Sequence, residues 1–291
     1  MYFFENRFMP KNEVAVSPDD RGYYFGDGIY EVFRVYNGRL FEAEAHFERL
    51  VRSAEGIRIE LPFSKEEIHS ILNKLIDMNH ISEGTVYMQV TRGAAPRVHP
   101  FPAGAKPVLM AYCNEVKRPL QTMRQGIAAV TMEDIRWLRC DLKTLNLLGN
   151  VLAKQHALDQ GADDVILHRS GTVTECSASN FFIVREGKLL THPANHLILH
   201  GITRMVTLRL AHEFGIPVLE EPFAVQDLRL ADEAFITGTT AEITPVVRID
   251  GKPVKDGVPG PITKRLQDAF EQAIQWSEAD DRKTYIKSAI D

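Results

Sequence analysis

The chain has 291 residues, 44% hydrophobic and 25% charged, with a net charge of -5, values that suit a soluble globular protein long enough for two domains. A slightly acidic balance, with a pI near 6.1, supplies no basic field for nucleic acid. No apolar run reaches membrane-spanning length, residues 1–8 are too short and too charged for a signal sequence, and the 3 cysteines lack metal-ligand spacing, so a reducing, cytoplasmic setting is expected.

In chain order, residues 12–17 alternate weakly and read as a short strand. The run from Asp19 to Glu31 follows, with three glycines among aromatics that imply turns pressed close to bulky neighbours. Residues 29–36 alternate as a strand, Asn37-Gly38 signals a tight hairpin, and Leu40-Phe41 starts the return. Phe47, Leu50, Val51 and Ala54 predict a helix with Arg49 beside its apolar face. Ser64 and Glu67 have the spacing of a capping box for a second helix carrying Ile68, Ile71, Leu72, Leu75 and Ile76.

Strands are expected over 85–91 and 106–112, joined by a proline-held loop in which Arg97 and His99 project to the same side. That pair suits a carboxylate, although an exposed basic loop is the plainer reading of the loop alone. Residues 115–126 are polar and contain Pro119, so the expected domains are 1–118 and 119–291.

The second domain opens with a strand over 127–133 and then Cys140-Asp141-Leu142-Lys143-Thr144. Leu145, Leu148 and Leu152 recur at helical spacing, placing Lys143 at or just before a helix N-terminus, where the dipole disfavours positive charge. A neutral amine there can attack a carbonyl and form a Schiff base, yet on position alone a solvated lysine is the ordinary reading.

Strands over 164–168, 172–174 and 180–184 follow, with Glu175 between the last two. Gly201-Ile202-Thr203 opens a helix running to about Phe214, and Thr237-Gly238-Thr239 makes a glycine turn with hydroxyls; both are candidate phosphate seats. A hairpin at 249–252, a closing helix over 261–276 and a tail expected to fray complete the chain. Arg52, Arg58, Trp137 and Arg139 read as packing or surface ion pairs.

A phosphorylated aldehyde cofactor needs an amine, an acid opposite its ring nitrogen, a phosphate cup and a grip for the substrate carboxylate. The residues above can fill those roles without proving them. Asp27-Gly28-Ile29-Tyr30-Glu31, the Lys143 segment, Thr174-Glu175 through Ser179-Asn180, Gly201-Ile202-Thr203-Arg204 and Thr237-Gly238-Thr239 resemble the motifs of fold-type IV pyridoxal-phosphate enzymes. Within that group, the runs Glu133 to Asp141, Leu145 to Gly149, Thr191 to Asn195 and Glu242 to Val246 are close to those of bacterial D-amino acid transaminases.

The resemblance implies a mixed α/β (α+β) fold of two domains with pyridoxal 5′-phosphate between them. It implies Lys143 as Schiff-base lysine and proton shuttle, Glu175 at the pyridine nitrogen and Leu199 against the ring. Arg49, Ile202, Thr203 and Thr239 would hold the phosphate, with Gly238 standing where the family has a serine. Tyr30, Arg97 and His99 would trap the substrate carboxylate, the last two from the neighbouring subunit of a homodimer. The implied reaction converts D-alanine and 2-oxoglutarate to pyruvate and D-glutamate. Branched-chain L-aminotransferase, (R)-amine transaminase and, further off, aminodeoxychorismate lyase activities are the alternatives on the same fold.

Overall fold

Alternating apolar residues and well-marked turns make the first half of the chain an antiparallel sheet. The computed structural model describes residues 1–276, and the charged tail lies outside them. Strands β1 (Tyr2–Phe4) and β2 (Arg7–Met9) form an opening hairpin. A short helix α1 (Arg21–Phe25) precedes β3 (Gly28–Tyr36), which turns through Asn37 and Gly38, at φ 48° and 76°, into β4 (Arg39–Leu40). Positive φ at both turn residues is what an Asn-Gly hairpin supplies at little cost. Helices α2 (Ala43–Gly56) and α3 (Lys65–Asn79) come next, the latter closed by the Ser64–Glu67 capping box. Strands β5 (Gly84–Thr91) and β6 (Val108–Glu115) complete the sheet in the order β2-β1-β6-β5-β3-β4.

The helices cover one face of this sheet. Ile29 and Phe33 of β3 and Val86 and Met88 of β5 pack with Phe47 and Leu50 of α2 and Leu72 and Leu75 of α3. The strand expected at 12–17 does not form. Lys11–Glu13 is a single 3-10 turn, and residues 14–17 join no strand and are largely exposed, so their weak alternation has no buried face to serve.

In the second half, α4 (Leu120–Gln125) occupies part of the polar stretch read as a linker, and β7 (Ile127–Glu133) starts a second sheet. Helix α5 (Leu148–Asp159) crosses over to β8 (Asp164–Arg169), parallel to β7, as a parallel neighbour requires. Then come β9 (Thr172–Cys176), β10 (Asn180–Arg185) and β11 (Lys188–Thr191). Helix α6 (Ile202–Glu213) leads to β12 (Val218–Glu220), β13 (Glu233–Gly238), β14 (Glu242–Ile249) and β15 (Lys252–Pro253). Helix α7 (Pro261–Trp276) closes the described chain. The strand order is β12-β11-β10-β13-β14-β7-β8-β9, with β15 on β14. The architecture is mixed α/β with one sheet in each half, as expected.

Helix α5 differs from its sequence reading. It begins at Leu148, and its buried face is Ala153 and Ala157, whereas Leu148, Val151 and Leu152 point outward at 71%, 59% and 51% exposure. The small alanines seat the helix on Val165 and Leu167 of β8, so the leucine spacing marks an outer apolar face and not a core stripe.

The halves join through aromatics and buried charge. Phe41 meets Phe270 of α7 at 5.5 Å between ring centroids. Arg118, between the sheets, donates from Nε and Nη2 to Glu242 at 2.8 and 2.7 Å, and the Tyr36 hydroxyl donates to the same carboxylate at 3.0 Å. Glu242 is only 1% exposed, and these donors satisfy its buried oxygens. Arg118→Met should therefore cost about 3–5 kcal/mol, read as a lower urea midpoint at unchanged slope; an unchanged midpoint would show that the pair does not join the halves.

Candidate active site

Backbone pairing puts the lysine in place. The Tyr30 amide donates to the Lys143 carbonyl at 3.0 Å, and the Leu145 amide donates to the Gly28 carbonyl at 3.0 Å. Ile29 and Thr144 are thus antiparallel partners on an edge of β3 that β4 leaves free, because β4 reaches only Val35 and Tyr36. A Cβ at Gly28 would stand 2.7 Å from Leu145 Cδ1 and 2.7 Å from the Val90 carbonyl, so glycine lets the segment close. The Lys143 amide donates to Ser53 Oγ at 3.1 Å, and Lys143 Nζ lies 4.2 Å from the Tyr30 ring centroid. This overturns the helix-terminus argument: α5 starts at Leu148, and a helix dipole acts only near its first turn.

Lys143 faces a cavity of about 870 Å³, within the range of small-molecule sites. Tyr30, Arg49, Glu175 and Leu199 line it, as do Ile202 and Thr203 at the start of α6 and Gly238 and Thr239 after β13. Arg97 and His99 do not. They sit on an exposed loop, with the Arg97 guanidinium 5.2 Å and the His99 ring 5.7 Å from the ring centroid of Phe25.

Glu175 is held from several sides at once. Arg136 Nη1 donates to it at 2.6 Å, Asn180 Nδ2 at 2.8 Å, and the Leu199 amide to both oxygens at 3.1 Å. Burial pushes its carboxyl above the ordinary range, and the Arg136 guanidinium pulls against that shift. Arg136 is itself clamped by Asp134, which accepts from its Nε and Nη2 at 2.9 Å and from the Thr174 hydroxyl at 3.1 Å. Sequence reasoning missed Arg136 and Asn180. An Asp-x-Arg set among apolar residues just after β7 was the available signal.

The helix end at Gly201 is glycine for a steric reason. A Cβ there would stand 2.0 Å from Asn180 Oδ1, displacing the amide that holds Glu175. No side chain caps α6, so no local cap satisfies its first amides, and Ile202 and Thr203, which carry them, line the cavity. Gly238 is different: its Cβ would meet Ser179 Cβ at 3.4 Å, ordinary contact, so a side chain fits and glycine simply omits a hydroxyl. Thr237 Oγ1, beside it and lining the cavity, is buried and has no hydrogen-bond partner among the described residues.

Arg49 reaches the cavity from α2. Its Nε and Nη2 donate to the two oxygens of Glu31 at 2.7 and 2.8 Å, and Nη1 donates to the His200 carbonyl at 3.0 Å. His46 Nδ1 lies 2.7 Å from the same Glu31 carboxylate. Burial alone would raise the Glu31 carboxyl; Arg49 outweighs it, with His46 adding, and the group is held well below the usual range. Burial keeps His46 the other way, below its ordinary value.

Of the residues read as structural, Arg139 pairs with Asp141 at the surface and Arg58 stacks 4.8 Å from the Phe101 ring. Trp137, in contrast, lines the cavity.

A profile of the family described as amino-transferase class IV matches residues 28–249, from the start of β3 to the end of β14. The chain belongs to the class IV aminotransferases. Within this family it is 50% identical over 274 residues to D-alanine aminotransferase of Staphylococcus aureus (strain MSSA476), covering 94% of this chain and 97% of that one. A branched-chain amino acid aminotransferase from Escherichia coli superimposes with a TM-score of 0.91 at 28% identity, covering 97% of this chain and 96% of that one. Another, from Thermoproteus uzoniensis and solved with norvaline, gives 0.86 at 28%, covering 96% and 95%. A third branched-chain enzyme, complexed with N-(5′-phosphopyridoxyl)-L-glutamate, also gives 0.86 at 28%, covering 94% and 93%.

The Glu31 cluster gives a pH-dependent expectation. Glu31→Gln should destabilise the protein by about 3–5 kcal/mol at pH 7, since Arg49 loses its buried counter-charge. Because the folded carboxyl is depressed, its contribution is complete above the unfolded value near 4.3 and is lost as pH falls below it. The gap between parent and variant in urea unfolding should narrow from pH 7 to pH 3.5. A gap that stays constant would mean that Glu31 does not carry the charge.

Proposed function

We propose that the protein transfers the amino group of D-alanine to 2-oxoglutarate, giving pyruvate and D-glutamate, with pyridoxal 5′-phosphate in the cavity beside Lys143. The observation that carries the choice of hand is 50% identity to a D-alanine aminotransferase, against 28% to the branched-chain enzymes; the shared fold does not separate the two.

The cavity suits the cofactor. Glu175, with its donors fixed, would pair with the ring nitrogen, and Leu199 would pack on the ring. Arg49, the amides at the start of α6, and the turn after β13 hold the phosphate, with the unpartnered Thr237 hydroxyl beside them. Bound there, the cofactor supplies an electron sink for the pair left at the substrate Cα. The chain's own part is placement and proton movement. Lys143 serves as the base for the Cα proton, a contribution of about 10²–10⁴-fold, and Tyr30, whose ring centroid lies 4.2 Å from the lysine nitrogen, contributes to the grip on the substrate carboxylate. Arg136 keeps Glu175 oriented, and Glu31 keeps the Arg49 fork aimed.

The substrate carboxylate is met by Arg97 and His99 of a second copy in a homodimer. Two features support this. Neither residue lines the cavity of its own chain, and Leu148, Val151 and Leu152 of α5, with Ile135 and Leu138 in the segment before it, are exposed, Val151 at the cavity itself. Exposed apolar residues gathered in one stretch of chain suit an interaction surface. The boundary between the two units is placed at Arg118–Pro119, between the last strand of the first sheet and the first strand of the second.

Chromatographic detection of the glutamate formed from 2-oxoglutarate, a product common to every donor, tests the reaction: D-alanine should turn over and release pyruvate, while L-alanine and L-leucine should not turn over. Turnover of L-leucine without D-alanine would replace this reading with the branched-chain one. Lys143→Ala should lower kcat by about 10²–10⁴-fold or more. Borohydride treatment and peptide mass spectrometry should find a phosphopyridoxyl mass on the Lys143 peptide of the parent alone; the same mass on another lysine would misplace the centre.

A further inference from the structure

In the glycine-rich aromatic run before β3, Arg21 starts α1, is 3% exposed and sends its guanidinium under the loop that carries Arg97 and His99. Its Nη1 donates to the Val98 carbonyl at 2.6 Å and its Nη2 to the His99 carbonyl at 3.3 Å. Nε donates to Asp27 at 2.8 Å. Arg92 shares that carboxylate, with Nε and Nη2 at 2.8 and 3.0 Å, and uses Nη1 on the Arg58 carbonyl at 2.7 Å. Phe25, one helical turn on from Arg21, lies 4.8 Å from the Arg21 guanidinium and carries Arg97 and His99 against its ring.

A fork that grips two successive carbonyls fixes the peptide between them, and with it the directions in which the neighbouring side chains leave the loop. The loop is otherwise exposed, so its shape needs an internal support of this kind. Asp27 is also one residue from Gly28, which pairs with Leu145 beside the lysine. One carboxylate therefore ties the loop to the strand on which the chain's own lysine is seated.

We infer that Arg21, held by Asp27 and backed by Phe25, is a positioning residue for substrate binding in trans: it sets the Arg97–His99 loop that completes the site of the other subunit. This rests on the reading of those two residues as the partner's carboxylate grip. Arg21 touches no reacting atom; it acts through the loop backbone. A lysine in its place keeps the charge for Asp27 but cannot hold both carbonyls.

Hybrid dimers, made by co-expressing two differently tagged chains, separate the possibilities. One chain carries Lys143→Ala, so each hybrid has a single live site, and Arg21→Lys is placed either on the dead chain or on the live one. With Arg21→Lys on the dead chain, KM for D-alanine should rise about tenfold, with kcat changed much less and phosphopyridoxyl content of the live chain retained. On the live chain it should leave KM near the parent value. Phe25→Leu, which removes the backing ring and spares the buried charges, should give the same pattern more weakly. An unchanged KM in both Arg21→Lys hybrids, while Arg97→Ala on the dead chain still raises it, would overturn the role of Arg21 alone. A KM rise that follows the live chain, for Arg21→Lys and Arg97→Ala alike, would overturn the partner-loop reading itself. A fall in kcat with KM unchanged would assign Arg21 to stability and not to substrate positioning.

Discussion

The free edge of β3 is the constraint on which the site depends. Two backbone hydrogen bonds fasten residues 143–145 to Gly28 and Tyr30, and this non-local pairing joins the second half of the chain to the first. Because successive side chains of a strand alternate, the same few residues serve both sides. Tyr30 faces the lysine, while Glu31 points the opposite way and holds the Arg49 fork beneath α2. A shift of one residue in this register would exchange those directions. Gly28 protects the register by admitting Leu145 where any Cβ would collide.

Around that edge, buried charge is used for aim. Two cavity-lining ionic groups have a second group behind them: Glu31 behind Arg49, and Arg136 and then Asp134 behind Glu175. Such pairs add little net stability compared with apolar packing, since desolvation offsets much of the attraction. Their benefit is geometric. A guanidinium with its nitrogens committed to a fixed carboxylate has few rotamers left, so its remaining donors point one way before anything binds. Gly201 extends the same logic to the backbone, because only a bare Cα lets Asn180 lie close enough to hold Glu175.

Much of this was legible in the residues, but unevenly. The Asn37-Gly38 hairpin, the Ser64–Glu67 cap and the alternation of β3 and β5 are local signals, and local geometry obeyed them. The lysine segment shows where such signals stop. Leu145, Leu148 and Leu152 have helical spacing, yet residues 143–145 take a strand-like pairing because β3 offers unpaired backbone groups that a local window does not contain. Helix α5 then starts late and turns its leucines outward. Arg136, Asn180 and Arg21 were passed over for a related reason. Each acts by holding another group, and nothing in its own neighbourhood states what it holds.

Within one chain, the groups proposed for the cofactor converge on a single cavity, while two of the three proposed for the substrate carboxylate, Arg97 and His99, lie outside it and only Tyr30 lines it. Cofactor retention and substrate recognition are thereby assigned to separate parts of the fold. This separation bears on stereochemistry. In the proposed reaction the substrate nitrogen is tied to the cofactor, and Lys143 stands on one side of the reacting carbon. The hand that can present its Cα proton to that amine is then decided by where the carboxylate is gripped. A fixed base with a movable grip can serve either enantiomer; a fixed base with a rigid grip serves one. If Arg97 and His99 are that grip, the fork of Arg21 beneath the Val98 and His99 carbonyls would hold it rigid, and discrimination between mirror-image substrates would depend on a buried side chain that never meets them.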